Sequence, residues 1–373
     1  MTPKQQEAVD AMRIHGSQRA AAAALGVSRS TLRSRLDSAK RWEDAPEGQK
    51  SAIAVSGLDI GTAKHGWRVI QHDDGSRDSV FWKAEAPAPE EIIESVRGAF
   101  EGLSVAPNID PPSQVMSDLC TVYPVMDLHY GMLAWGKETG GADYSLKEAD
   151  RDVAYAFAKV MALTPASDTA VLLLPGDTLH ADDNRAETPQ SKHKLDVDTR
   201  LWKVLDNGIE IIDAMIQYLL AKHARVIVRV MRGNHDEHSH LVLSFAIAER
   251  YREHSRVEIE KTPRDLFMHR WGRSAIFAHH GDKAKPQQLA LYLSDVCEFW
   301  SSTRHRYALT GHVHHDQAKD VGPLRWESLR AFCPPDAYAA SMGYGARRAL
   351  QSLTFDKTDG LVLRALDPIE RVA

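Results

Sequence analysis

The sequence predicts a mixed α/β protein with a helical N-terminus, and three observations lead to this fold class. Five short apolar runs are typical of buried strands; they lie at residues 122–126, 170–174, 226–231, 275–278 and 307–310. Residues 201–221 form a segment typical of a helix. Residues 4–42 are divided by glycine and serine into three helix-like stretches.

Each apolar run is followed by residues that can bind a metal ion. In chain order the blocks are Asp127-x-His129, Gly176-Asp177, Gly233-Asn234-His235-Asp236, His279-His280-Gly281-Asp282 and Gly311-His312-x-His314. Such a series can hold two divalent ions about 3.5–4 Å apart, an arrangement that splits phosphate esters by clamping the attacking and leaving oxygens. The sequence therefore predicts a two-metal phosphoesterase.

The expected role of each block follows from its residue types. Residues two apart on a strand point to the same side, so we expect Asp127 and His129 to reach one ion and the two histidines of the last block to share a face. Asp177 has two carboxylate oxygens and can bridge the ions. Asn234 can offer its amide oxygen, which leaves His235 free for proton transfer.

The five blocks, in this order over residues 127–314, resemble the calcineurin-like metallophosphoesterase superfamily. This resemblance implies a four-layer α/β/β/α sandwich with the metals at strand ends. It also implies one metal at Asp127, His129, Asp177 and His314, and a second at Asp177, Asn234, His280 and His312. We prefer His280 to His279 because the ligand in related sequences usually stands directly before Gly-Asp.

The resemblance also implies a mechanism. A hydroxide bridging the metals attacks in line, and His235 protonates the leaving oxygen as a general acid. His180, followed shortly by Asn184, is similar to the recombination-repair nuclease branch, and the catalytic region is similar to phage-type enzymes. In that branch the histidine assists at the phosphate; the alternative is that His180 supports a ligand by a hydrogen bond.

The N-terminal segment is basic and resembles a helix-turn-helix module. Residues 4–42 contain eight basic and three acidic side chains, a net charge of +5 in a chain whose total is −5. Such asymmetry favours a nucleic-acid contact. Residues 28–36 would be the recognition helix, with DNA contacts from Arg29, Arg33 and Arg35. The alternative is a small helical bundle that mediates assembly.

We therefore expect three parts: a helix-turn-helix module at 1–42, a spacer at 43–114 and a metallophosphoesterase domain at 115–373. The spacer is predicted to contain a β-hairpin within 53–83 and a helix near 90–103, between two linkers. Its role beyond placing the domains stays open.

Composition sets the remaining expectations. The three cysteines have no CxxC spacing, which argues against a disulfide framework or a zinc ribbon. With no signal peptide and no long apolar run we expect a cytoplasmic protein, bacterial or phage-encoded, without a membrane partner. The sequence leaves open whether the chain forms a homodimer.

The function predicted from these features is a DNA nuclease that uses two divalent metals. Mn²⁺ is expected, and Mg²⁺, Fe²⁺ or Zn²⁺ are alternatives, because aspartate, histidine and asparagine accept each of these ions. Two other functions stay open: a phosphatase or nucleotide phosphohydrolase for small substrates, and a DNA-binding regulator with an ancillary phosphoesterase domain.

Overall fold

The structure is a computed structural model that describes residues 3–43, 65–71, 77–83, 105–345 and 347–369. The chain divides into two compact units, Met1–Arg97 and Gly98–Ala373. Among the described residues, no helix combines the length and the apolar character needed to cross a bilayer.

The first unit begins with three helices that pack on one another. They are α1 (Pro3–His15), α2 (Gln18–Ala24) and α3 (Arg29–Glu43). Gly26 separates α2 from α3, and its φ of 64° lies in the left-handed region that glycine adopts without strain. The Ser28 side chain then accepts a hydrogen bond from the Thr31 amide at 3.0 Å, which caps the N-terminus of α3. A small core of alanines and Leu32 joins the three helices.

The predicted β-hairpin is present as two antiparallel strands, β1 (His65–Gln71) and β2 (Arg77–Lys83). The turn predicted between them, the helix predicted near 90–103 and residues 44–52 of the first linker lie outside the described residues.

The second unit contains two mixed sheets and six helices among the described residues. Its helices are α4 (Gly136–Thr139), α5 (Leu146–Leu163), α6 (Leu201–Leu220), α7 (Ser239–Arg250), α8 (Pro286–Val296) and α9 (Ala337–Ser341). Its strands are β3 (Met116–Pro124), β4 (Ser167–Leu174), β5 (Arg225–Val230), β6 (Val257–Ile259), β7 (Phe267–Trp271), β8 (Ser274–His279), β9 (His305–Thr310), β10 (Gln317–Val321), β11 (Leu324–Ser328), β12 (Leu350–Asp356) and β13 (Gly360–Asp367).

Each sheet has a parallel centre. The six-stranded sheet has the order β13-β12-β3-β4-β5-β6, in which β3 to β6 are parallel. The five-stranded sheet has the order β10-β11-β9-β8-β7, in which β11, β9 and β8 are parallel. Parallel strands end at the same edge of a sheet, so the blocks that follow β3, β4, β5, β8 and β9 are brought to sheet edges.

Alternate residues of the central strands enter different hydrophobic clusters. Ala170 and Leu172 of β4 pack in a cluster with α5, α6 and α7. Val171 and Leu173, one residue out of step, pack in a cluster that contains residues of both sheets. A third cluster joins the five-stranded sheet to α8. Both faces of these strands are therefore covered, which explains why they appear in the sequence as continuous apolar runs.

Candidate metal centre

The loops after β3, β4 and β9 place five of the predicted ligands in an unusual backbone conformation. Of the eight non-glycine residues with positive φ in the described ranges, five are predicted ligands: Asp127, His129, Asp177, His312 and His314, with φ between 46° and 68°. Left-handed backbone is uncommon for residues other than glycine and often accompanies a functional site.

This backbone corrects one step of the sequence reasoning. Strand spacing predicts that Asp127 and His129 share a side, but β3 ends at Pro124. The histidines of the last block likewise lie beyond the end of β9 at Thr310. Left-handed backbone after the strands therefore sets the directions of these side chains, since the two-residue alternation of a strand does not apply there.

Backbone hydrogen bonds hold the loops to one another. The His129 amide donates to the Asp177 carbonyl oxygen at 2.9 Å, and the His235 amide donates to Asp177 Oδ1 at 2.8 Å. The His312 amide donates to Asp127 Oδ1 at 2.9 Å. Main-chain donors from neighbouring blocks thus fix the carboxylates of Asp127 and Asp177.

Two glycines permit this close approach. A Cβ at Gly233 would overlap Asp177 Oδ1, and a Cβ at Gly311 would overlap Asp127 Oδ2. Any side chain at these positions would displace a carboxylate, which explains why glycine precedes Asn234 and His312 in the two blocks.

Two groups of ligand atoms share Asp177. In the first group, the atoms of Asp127, His129 and Asp177 lie within 4.8 Å of one another. In the second group, the same holds for Asp177, His280 and His312. A carboxylate common to two such groups has the placement needed to bridge two ions.

The remaining predicted ligands lie beside these groups. His314 Nε2 is 3.7 Å from Asp127 Oδ1, and Asn234 Oδ1 is 3.0 Å from His280 Nε2. His279 belongs to neither group, and its Nδ1 accepts a hydrogen bond from the Gly281 amide at 3.0 Å. All seven predicted metal ligands are therefore brought together, and His280 is the member of the histidine pair that joins them.

The donor atoms fit a divalent cation. His129 Nε2 is buried, has no hydrogen-bond partner among the described residues and lies 3.8 Å from Asp177 Oδ2. A buried polar atom without a partner is costly, and a bound cation would give it one. Burial, helped by nearby histidines, lowers the pKa of His129, and burial also lowers the pKa of His312. Neutral imidazoles of this kind have a lone pair for a metal.

The second group of ligand atoms, from Asp177, His280 and His312, stabilises positive charge. Burial opposes protonation of His280, but the Asp177 carboxylate, 3.2 Å from its Nε2, raises the pKa of His280 to about 10. Burial likewise disfavours the Asp177 anion, yet His280 and His235 hold the pKa of Asp177 well below its usual value. The oxygens that face His280 Nε2 are therefore placed to attract a cation.

The two predicted catalytic histidines have different surroundings. His235 is half-buried, and its Nδ1 is 2.9 Å from the His180 carbonyl oxygen. His180 is buried, and its Nδ1 lies 3.1 Å from His129 Nδ1. Burial, together with His235, lowers the pKa of His180 to about 3. His180 is thus a neutral contact of a predicted ligand.

A cavity of about 670 Å³ opens onto this centre. Its lining includes His129, Asp177, Asn234 and His235. The cavity is also lined by two tyrosines, Tyr338 and Tyr344, which are 51% and 55% exposed. The site is therefore open to a ligand larger than water.

Three residues with clear roles in the site are not predicted by the sequence patterns. Asp236 is buried and accepts hydrogen bonds from the amides of Gly233 at 2.7 Å and Thr178 at 2.9 Å, which joins two ligand loops. Arg232 donates to Asp282 at 3.1 Å, and this part-buried ion pair joins the residue before the Gly233 block to the His279 block. The one sequence signal for Asp236 and Asp282 is their position inside the motif blocks, and no pattern in the sequence indicates Arg232.

The predicted DNA-contacting arginines lie on α3, in the other unit. Arg29 and Arg33 are exposed, and Arg35 is half-buried. At 3.6 residues per turn, Arg29 and Arg33 lie on one face, whereas Arg35 lies about 200° further around the helix from Arg33. The three arginines therefore do not form a single surface.

Comparisons with known proteins give a fold-level likeness only. No family model and no curated protein sequence matches the chain. The chain is similar in structure to an archaeal phosphodiesterase, with 13% identity, coverage of 66% of this chain and 99% of that one, and a TM-score of 0.34. It is also similar to vacuolar protein sorting 29 from Cryptosporidium parvum, with 11% identity, coverage of 67% and 96%, and a TM-score of 0.30.

A third similar structure is a phosphoesterase predicted in Streptococcus pneumoniae, with 12% identity, coverage of 65% and 86%, and a TM-score of 0.26. Identities and TM-scores this low carry no weight in assigning a function, which must be argued from the residues.

Proposed function

We propose that the chain is a calcineurin-like metallophosphoesterase that hydrolyses phosphodiesters with two divalent metal ions. The observation that carries this proposal is the pair of ligand groups that share Asp177. The three hydrophobic clusters support the same family, because they are those expected of a four-layer α/β/β/α sandwich.

Asp127, His129, Asp177 and His314 would hold one ion, and Asp177, Asn234, His280 and His312 would hold the other. Bound there, the ions would polarise the phosphoryl oxygens and lower the pKa of water to near neutrality. The residues around them supply orientation and proton transfer.

His235 is the proposed proton donor to the leaving oxygen. The His180 carbonyl accepts a hydrogen bond from His235 Nδ1, which fixes the ring and leaves Nε2 for proton transfer. The ring lines the cavity, so a bound ester can reach it. General acids of this kind contribute about 10²–10⁴-fold to the rate.

His180 is proposed to position His129. If His129 Nε2 binds a metal, its Nδ1 carries the proton and donates to His180 Nδ1 at 3.1 Å. This contact favours the supporting role over direct assistance at the phosphate, because the His180 side chain is only 1% exposed.

A nucleic acid is the proposed substrate, most simply DNA. Exposed tyrosines in a cavity offer faces on which nucleobases can stack. The basic N-terminal helices support a DNA tether through Arg29 and Arg33, the pair that shares one face of α3.

The proposal is tested with metal-free protein, to which Mn²⁺, Zn²⁺ or Mg²⁺ is added before assay on a diester, a monoester, DNA and RNA. We expect chelation to abolish hydrolysis, Mn²⁺ to restore it, and the diester and DNA to be cleaved in preference to the monoester. Hydrolysis of the monoester alone would favour a small-substrate phosphatase. DNA binding without hydrolysis under any metal would favour a regulator.

A further inference from the structure

Cys333 is held against the candidate metal centre by the main chain. The Phe332 amide donates to the Met126 carbonyl oxygen at 2.7 Å, and the Cys333 amide donates to the Asp127 carbonyl oxygen at 3.3 Å. Arg348 Nε fixes the same segment by donating to the Phe332 carbonyl oxygen at 2.7 Å. The segment that carries the cysteine is therefore anchored to the loop that carries Asp127.

The Cys333 thiol faces predicted ligands. Its Sγ, a ring nitrogen of His129 and a ring nitrogen of His314 all lie within 4.8 Å of one another. Cys333 is 4% exposed and contributes to the wall of the same cavity. A second observation points to a ligand at this place: His129 Nε2 is buried and has no hydrogen-bond partner in the described ranges.

The other two cysteines have different surroundings. Cys120 packs in the hydrophobic cluster between the sheets, and Cys297 packs in the cluster beneath α8. Neither belongs to a group of ligand atoms found among the described residues. These cysteines have the packing expected of small apolar residues, and they provide an internal control for Cys333.

We propose that the Cys333 thiolate is an additional ligand of the ion held by Asp127, His129 and His314, so that the two metal positions differ in kind. This inference rests on the proposed function. On binding, the S–H bond breaks, a sulfur–metal bond forms and one proton passes to solvent. The step involves no change of oxidation state.

The consequence is selectivity between the two positions. Thiolate is a soft ligand that favours Zn²⁺ and comparable ions over Mg²⁺, whereas the position of Asn234, His280 and His312 offers only oxygen and nitrogen. The first position should therefore retain Zn²⁺ or Co²⁺ under conditions where Mn²⁺ exchanges freely. The centre would then hold two different metals, whereas the sequence predicts Mn²⁺ at both positions.

The test is the electronic spectrum of the Co²⁺-loaded full chain, with the metal content measured in parallel. A cobalt–thiolate bond gives an intense near-ultraviolet charge-transfer band, which oxygen and nitrogen ligands do not produce. We expect the band in the wild type and in Cys297→Ser, and its loss in Cys333→Ser. Zinc affinity, measured by competition with a chelator, should fall by at least about tenfold in Cys333→Ser, as removal of even a supporting group can cost that much.

The outcomes separate the two proposals. A wild-type chain that binds two Co²⁺ ions but shows no thiolate band overturns the role of Cys333 and leaves the proposed function intact. A wild-type chain that binds no divalent ion overturns both. The wild-type spectrum decides the matter even where Cys333→Ser fails to fold, and persistence of the band in a folded Cys333→Ser protein also contradicts the proposal.

Discussion

The loops that carry the predicted ligands around Asp177 are held together by a residue that is not itself a predicted ligand. Asp236 accepts main-chain hydrogen bonds from both the Asp177 loop and the Gly233 loop, and it has no surface exposure. Burial, with the nearby Asp177 carboxylate, raises the pKa of Asp236 to about 7. Asp236 therefore ties two ligand loops to each other without being a predicted ligand itself.

His235 gives the sharpest test at the scale of one residue. His235→Ala should keep both metals and substrate binding, because its side chain belongs to neither group that shares Asp177. Turnover of an ester with an alkoxide leaving group should fall by roughly 10²–10⁴-fold. The measurement is kcat for that ester and for a p-nitrophenyl ester.

The p-nitrophenyl ester is the control, because its leaving group departs without a proton. Equal losses for both esters would refute the proton-donor role. A loss of bound metal in the variant would instead mean that His235 supports the ligands.

At this scale the sequence predicts which residues meet but not how. The seven predicted ligand positions follow from the order of the five blocks and from their resemblance to a known superfamily. The left-handed backbone at Asp127 and His312 does not, because neither residue type requires a positive φ. Cysteine spacing bears only on disulfides and zinc ribbons, whereas the proximity of Cys333 to Asp127 arises from a tertiary contact 206 residues along the chain.

At the scale of elements, strand recognition depended on burial. The predicted apolar runs match β4, β5 and β8 to within three residues at each end, because both faces of these strands are covered. The edge strand β10, Gln317–Val321, has four exposed residues out of five and no apolar run to reveal it. Its pairing with β11 is supplied by the neighbouring strand, which local sequence does not encode.

His223, in the loop between α6 and β5, links β3 and β4 and carries a pH prediction. Its Nδ1 accepts from the Ser167 amide at 3.1 Å at the start of β4, so its Nε2 carries the proton and donates to the Tyr123 hydroxyl of β3 at 2.9 Å. Burial, with Lys222 nearby, lowers the pKa of His223 to about 4 from 6.5.

The lowered pKa of His223 sets the sign of the pH dependence of stability. Between pH 6.5 and 4 the unfolded chain binds a proton at this histidine and the folded chain does not, so stability is present above pH 6.5 and is lost as the pH falls. Over this window His223 should reduce the free energy of unfolding by about 3 kcal/mol. Urea unfolding in the presence of a chelator, at several pH values, measures it.

His223→Gln should lose that part of the acid sensitivity, because glutamine does not titrate. The exposed His193→Gln is the matched control and should retain it. An acid dependence unchanged between the wild type and His223→Gln would contradict the assignment.

At the scale of the whole molecule, charge is divided unevenly along the chain. Residues 4–42 carry a net charge of +5, whereas the complete sequence carries −5. If Arg29 and Arg33 bind phosphates, Arg29→Gln/Arg33→Gln should weaken DNA binding. It should also flatten the dependence of log K on log salt by roughly 0.9 for each phosphate that is no longer neutralised. Binding isotherms over a range of salt concentrations measure this slope.

The matched control is Arg270→Gln/Arg273→Gln. It removes the same charge from exposed positions around the β7–β8 turn, at the opposite end of β8 from His280. Its salt slope should equal that of the wild type, and hydrolysis of a small diester should be unchanged in both variants. Equal slopes in all three proteins would reject the DNA tether and leave the small-substrate phosphoesterase as the leading account.

The central claim is that Asp177 bridges two metal ions, and metal stoichiometry tests it most directly. Purified chain equilibrated with Mn²⁺ or Zn²⁺ should bind two ions, and Asp177→Asn should lose tight binding at both positions, because its carboxylate belongs to both ligand groups. Asp168→Asn, at the other end of β4, is the control and should bind two. Two tightly bound ions in folded Asp177→Asn would contradict the account.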